Sequence, residues 1–188
     1  MPIASRADTV DAGGVKFETV ASLGNARLQL NGAGVRYKAV FKVYAAGLYL
    51  SAKESTAEAV LAATGPRRMH IVMLREIDAN ELGKLFTKGM EQNASREEFS
   101  KVIPGVIKMS EIFSQRKKLA SGDSFSIDYV PGTGSVILVN GKPASEPIKE
   151  PEFFNALMKI WLGKVPADAQ LKDALLGAKP AGAKDPFN

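Results

Sequence analysis

The residues with chemical reach in this sequence are few. Arg36 stands between Val35 and Tyr37 in a strand-like run, so alternation puts those two on the face opposite its guanidinium. If the Arg36 face is covered, an unpaired guanidinium is costly enough to require an anion or an internal acid. A carboxylate accepting two hydrogen bonds would satisfy it directly. Tyr44 lies an even number of residues further on, so an uninterrupted strand brings phenol and guanidinium to one face, whereas a β-bulge between them breaks that parity. Both residues have a plainer reading, Arg36 as a solvated strand residue and Tyr44 as a core residue whose hydroxyl bonds to backbone. Asn93 ends an apolar helix face and is either a polar ligand contact or, more commonly, a terminal residue bonding its own helix.

Other chemistry is excluded or unsupported. There is no cysteine and one histidine, which leaves no disulfide, thiolate or zinc-thiolate site and no metal is expected. That histidine, His70, alternates within Met69-His70-Ile71-Val72-Met73 and reads as a structural strand residue. No glycine-rich phosphate loop or nucleophile elbow occurs, so no cofactor is expected, and Gly132-Thr133-Gly134 reads as a turn between strands. Glu97 and Glu98 occupy adjacent helical positions that face different ways, which suits solvent better than acid–base work. The net charge of +5 comes from Lys and Arg interleaved with Asp and Glu, without aromatic residues among the basic ones, so nucleic acid is not expected as a partner. The longest apolar run, Ala39 to Leu50, is broken by Lys42 and is too short to span a bilayer, so no membrane insertion is expected.

The elements that must position these residues follow from the hydrophobic period. At 188 residues one core is the default. Residues 15–20, 26–30 and 35–50 read as strands, with Asn31-Gly32 as a tight hairpin turn. A short capped helix over 56–64 ends at Gly65-Pro66, and 68–74 is a further strand. Asp78 caps a helix over 79–93; Ser95 and Glu98 form a capping box for a second, which Pro104 divides. Arg116-Lys117-Lys118 reads as the cationic last turn of that helical region. Strands return at 125–130 and 136–139, followed by helices at 150–162, ended by Gly163, and 167–176. The order gives an α+β domain with a mainly antiparallel sheet over residues 14–177, between a loose segment 1–13 and a loose tail 178–188.

Asn31-Gly32-Ala33-Gly34-Val35-Arg36 followed by Phe41-Lys42-Val43-Tyr44-Ala45-Ala46-Gly47-Leu48-Tyr49-Leu50 resembles the long strand pair of the chalcone isomerase family. Phe86 to Asn93, the turns at Gly122-Asp123 and Asn140-Gly141, and Ile160-Trp161-Leu162-Gly163 extend the resemblance over residues 15–177. It implies an open-faced β-sandwich, a large sheet backed by a layer of helices with a ligand cleft between them. It also implies roles. Arg36 matches the arginine that steers the ionised hydroxyl of a chalcone, and Asn93 matches an asparagine of the enzymes. Tyr44 stands at a threonine position, and Phe86 and Ile160 replace residues that carry hydroxyls. Without those donors the polarisation of a ketone is weakened. Arg36 paired with Tyr44 resembles instead the family's non-enzymatic, fatty-acid-binding branch.

The function expected is therefore a non-catalytic binder of a fatty acid or similar amphiphilic carboxylate, touching Arg36, Tyr44, Phe86, Asn93, Ile160 and Trp161. The alternative is an isomerase or intramolecular lyase acting on a phenolic enone, with Arg36 as its catalytic residue. Phe86, Met90, Met109, Phe113, Phe153, Leu157 and Trp161 have the spacing of tunnel walls or of ordinary core. A bacterial, periplasmic protein whose leader has been removed is the expectation from the Ala7-Asp8-Thr9 start and the absence of cysteine, with the cytoplasm as the other compartment. The oligomeric state does not follow from the sequence.

Overall fold

The structure, a computed structural model, describes residues 8–178. Seven strands make one antiparallel sheet in the order β11 (Lys142–Pro143), β10 (Gly134–Val139), β9 (Ser124–Val130), β6 (Arg67–Met73), β5 (Phe41–Leu50), β4 (Ala26–Lys38) and β3 (Val20–Leu23). Two short antiparallel pairs stand apart: β1 (Thr9–Ala12) with β2 (Val15–Glu18), and β7 (Ile77–Asp78) with β8 (Lys118–Leu119). The helices are α1 (Ala57–Ala62), α2 (Ala79–Gln92), α3 (Arg96–Ser114), α4 (Glu152–Leu162) and α5 (Ala169–Leu175). This is the expected α+β open-faced sandwich.

Packing explains the two faces. Alternate residues of β6, Met69, Ile71 and Met73, are fully buried with Phe86, Met90, Phe113, Phe125 and Trp161 from the helices and β9. The opposite face carries a smaller cluster in which Phe17 of the β1–β2 hairpin lies on Leu28, Leu30, Ala45 and Tyr49. His70 belongs to that second face, its Nδ1 at 2.6 Å from Ser126 Oγ and its ring edge-on to Phe17. Burial, helped by the Arg68 charge, lowers its pKa.

Asn31-Gly32 is not the turn its dipeptide announces. Asn31 lies within β4 as the extra residue of a β-bulge, where Leu30 pairs with Tyr49 and Gly32 with Leu48. Its side chain donates to Glu54 O and Leu175 O and accepts from Glu54 N, tying the strand to α5. A Cβ on Gly32 would sit 1.9 Å from Ala174 O, so only glycine lets α5 lie this close to the strand. The hairpin turns at Ala39-Val40 instead, with Ala39 at a φ of 54°. That left-handed conformation suits glycine or asparagine far better than alanine.

Three further expectations change. Pro104 does not divide the helical region, because Val102 and Gly105-Val106 on either side of it, with Met109 beyond, pack into the same core and hold α3 continuous. Arg116-Lys117-Lys118 lies past the end of α3, where Lys118 enters β8 and pairs with Glu76 at 3.3 Å. Residues 9–12, expected within a loose segment, form β1 by pairing with β2. Residues 1–7 and 179–188 lie outside the described residues.

Candidate functional site

Between the β4–β5 hairpin and α2 runs a cleft of about 330 Å³, a size at the lower end of small-molecule sites. β4 supplies Arg36 and Lys38, β5 supplies Val43 and Tyr44, and α2 supplies Leu82, Leu85, Phe86, Lys88, Gly89 and Gln92. Ile77, Ile160 of α4 and the loop Val165-Pro166-Ala167 complete the walls. No Asp, Glu or His lines it among the described residues.

Arg36 and Tyr44 meet by a route different from the one their spacing suggests. They sit on neighbouring antiparallel strands and face each other directly across the ladder. Side chains at opposed positions share a sheet face. The bulge that parity arguments must avoid is present one step further out, where Tyr37 pairs with Lys42 and Val43 becomes the extra residue. It explains how consecutive residues, Val43 and Tyr44, both line one cleft.

The phenol is held in one role. Trp161, fully buried on α4, donates its Nε1–H to Tyr44 Oη at 2.8 Å. Indole is a donor only, so the tyrosine oxygen must accept and its own O–H is left to donate elsewhere. Burial pushes the Tyr44 pKa up to about 12, against the lowering effects of the Trp161 bond and the Arg36 charge. Tyr44 is therefore a neutral donor at any physiological pH.

Arg36 is half-buried, and one of its terminal nitrogens donates to Tyr37 O. Among the described residues no carboxylate forms an ion pair with it. Asp168, whose charge reaches Tyr44, has both oxygens engaged by backbone: Oδ2 accepts from Tyr37 N at 3.0 Å, and Oδ1 from Gln170 N and Leu171 N at 2.9 and 3.1 Å. With Arg36, Lys38 and Lys88 along one cleft, the lining is apolar with a cationic rim.

The other sequence candidates divide. Phe86 and Ile160 line the cleft with Arg36 and Tyr44, but Asn93 and Trp161 do not. Asn93 Nδ2 donates to Gly89 O and Val165 O, and its Oδ1 accepts from Val165 N, so it staples the α4–α5 loop onto the end of α2. Every polar atom of that amide is satisfied internally, which removes it from ligand contact. Trp161 acts through the Tyr44 hydroxyl instead of touching the cleft. Of the candidate tunnel residues, only Phe86 reaches the cleft, while Met90, Met109, Phe113, Phe153 and Leu157 are core. Lys38 was legible as the second residue after Arg36 on one strand, but Val165 and Pro166 carried no periodic signal. A larger concavity of about 770 Å³ flanks the C-terminal end of α5, lined by Arg27, Asn31 and Lys53, and contains none of the candidate residues. No cluster that could hold a metal ion occurs among the described residues.

A family model described as chalcone isomerase-like matches residues 9–177 of this sequence. The chain belongs to the chalcone isomerase-like family. As a chalcone isomerase-like protein it is similar in structure to a fatty-acid binding protein of Arabidopsis thaliana, with a TM-score of 0.69 over 90% of this chain and 96% of the plant protein. The two are 14% identical, so the likeness is one of fold. No curated protein sequence matches this chalcone isomerase-like chain significantly.

Proposed function

We propose that this chalcone isomerase-like protein binds an aliphatic carboxylate of the fatty-acid type, head group inward at Arg36 and Tyr44 and chain along Leu82, Leu85 and Phe86. The observation that carries the reading is the Trp161–Tyr44 hydrogen bond at 2.8 Å. It commits the phenol oxygen to accepting and leaves its hydrogen as a neutral donor, on the ladder rung opposite a guanidinium that forms no ion pair among the described residues. One donor from each residue suits the two oxygens of a carboxylate. The structural likeness to a protein called a fatty-acid binding protein supports the same ligand class.

An isomerase of phenolic enones finds less support. Phe86 and Ile160 offer no hydroxyl to polarise a ketone, and no Asp, Glu or His of the described lining stands ready as a general base.

Displacement of a fluorescent long-chain carboxylate tests the proposal. Arg36→Ala removes a charge-assisted hydrogen bond of about 1.5 to 3 kcal/mol, which is roughly a ten- to hundredfold loss of affinity. The alcohol of the same chain length is expected to bind the native protein more weakly than the acid. Equal affinity of native protein and Arg36→Ala for the acid would show that the head group does not bind there.

A further inference from the structure

The tip of the β4–β5 hairpin is built against the ordinary chemistry of a tight turn. Ala39 holds a left-handed φ of 54° that glycine or asparagine would adopt with less strain. Beside it Val40 is 83% exposed and Phe41 57% exposed, the two most exposed large apolar residues described in the chain. Lys38 and Lys42 flank them, and the Arg75 guanidinium lies 4.8 Å from the centre of the Phe41 ring. Glu76, next in sequence to Arg75, pairs with Lys118, and Asp168, which accepts from Tyr37 N, is engaged by backbone N–H groups. The apolar and cationic surface continues into the cleft rim, where Leu85, Val165, Lys38 and Lys88 are all exposed and all line the opening.

We propose that this hairpin tip is a docking surface for an anionic lipid bilayer, which sets the cleft mouth against the membrane surface. Charge complementarity favours this occupant, because exposed cations around protruding apolar side chains are what a negatively charged interface attracts. Size favours it over a protein partner. A stable protein interface buries about 800 Å² and 20 to 30 residues on each side. A five-residue tip falls far short of that, whereas two inserted side chains and neighbouring charges suffice for reversible membrane contact. No helix described is long and apolar enough to cross a membrane. The docking surface stands apart from the ligand reading, although the two together would let an aliphatic acid pass between bilayer and cleft without crossing water.

Flotation of the full chain with vesicles of phosphatidylcholine, and of phosphatidylcholine mixed with anionic phosphatidylglycerol, tests the proposal. Binding is expected only to the anionic vesicles and is expected to weaken as salt is raised. Lys42→Ala should weaken it about fivefold, at about 1 kcal/mol per surface cation. Val40→Asp should weaken it at least about tenfold by removing an inserted side chain. Lys142→Glu, on the distant edge strand β11, should leave it unchanged. Neither tip residue lines the cleft, so affinity for a fluorescent carboxylate in vesicle-free buffer should be the same for native protein, Lys42→Ala and Val40→Asp. That assay reports the ligand reading separately, and also verifies folding of the variants. No vesicle binding, equal binding to neutral and anionic vesicles, or native-like vesicle binding by Val40→Asp would each overturn the proposal. So would capture of an acidic protein by the tip in place of vesicles.

Discussion

Replacing Tyr44 by phenylalanine separates what its hydroxyl does for the fold from what it does for a ligand. In the unliganded protein the change leaves Trp161 Nε1, fully buried, without the acceptor it has at 2.8 Å. Stranding a buried donor costs about 1 to 3 kcal/mol. A central value near 2 kcal/mol lowers Tm by roughly 4 to 8 °C in a chain of this size. Trp161→Phe removes the donor instead and adds the cost of a smaller ring in the core. The double variant leaves neither polar group behind, so the two losses should fall short of adding by about 1 to 2 kcal/mol. Affinity for a long-chain carboxylate should drop separately, by roughly ten- to hundredfold in Tyr44→Phe, because a hydrogen bond to a charged acceptor is lost. Urea unfolding of the four proteins gives the first quantity and probe displacement the second. Additive losses in the double variant would mean that the two side chains are not bonded. Unchanged affinity in Tyr44→Phe would mean that the phenol does not face the ligand.

Asn93→Ala frees Gly89 O, Val165 O and Val165 N at once and should cost about 2 to 4 kcal/mol, read as a lower urea midpoint. Because Val165 is a cleft wall, carboxylate affinity should fall as well, whereas a direct ligand contact would lose affinity with little change in stability. Stability should also decline at high pH. An unfolded tyrosine ionises near 10, while Tyr44 in the fold holds its proton to about 12. The folded state is the tighter proton binder, so the stability present below pH 10 is lost as pH rises from about 10 to 12, at about 1.4 kcal/mol per pH unit for one such group. Tyr49, also raised to about 12 by burial, contributes the same sign, so Tyr44→Phe should flatten only part of the slope. Equal slopes for native protein and variant in unfolding measured between pH 9 and pH 12 would count against the burial of Tyr44.

How much of this could be read in the sequence depends on whether the controlling interaction was local. Period and caps are local: Asp78 and Ser95 accept from Glu81 N and Glu98 N as their positions suggested, and α2 and α3 begin there. Asn31-Gly32 misled because the force on it comes from α5, more than a hundred residues away, which requires a glycine and bonds the asparagine. Pro104 misled for the same reason, since core contacts on both sides outweigh one missing backbone hydrogen bond. The pairing of Arg36 with Tyr44 was legible as a shared face, but through a parity that does not apply across a turn and a bulge. What carried it was the resemblance to a family, which already encodes the register. Asn93 had matched a family position, yet its amide is consumed by a loop whose path no pattern announced. Trp161 was expected as a ligand contact, and what it offers is a single N–H to the Tyr44 hydroxyl.

The extra residue at Val43 has a consequence for how such a protein can change. Everything beyond it hangs from the ladder by two pairs, Tyr37 with Lys42 and Lys38 with Phe41, whereas the Arg36–Tyr44 rung is fixed from below by β6 and α4. The outer hairpin can therefore be lengthened, shortened or exchanged while the inner rung keeps its register. If the proposed roles hold, a lineage could alter where the protein docks by rewriting the six residues from Tyr37 to Lys42, leaving untouched the rung proposed to hold a head group. Destination and cargo would then be inherited on one hairpin as separable modules, and a transplanted tip should carry the first without the second.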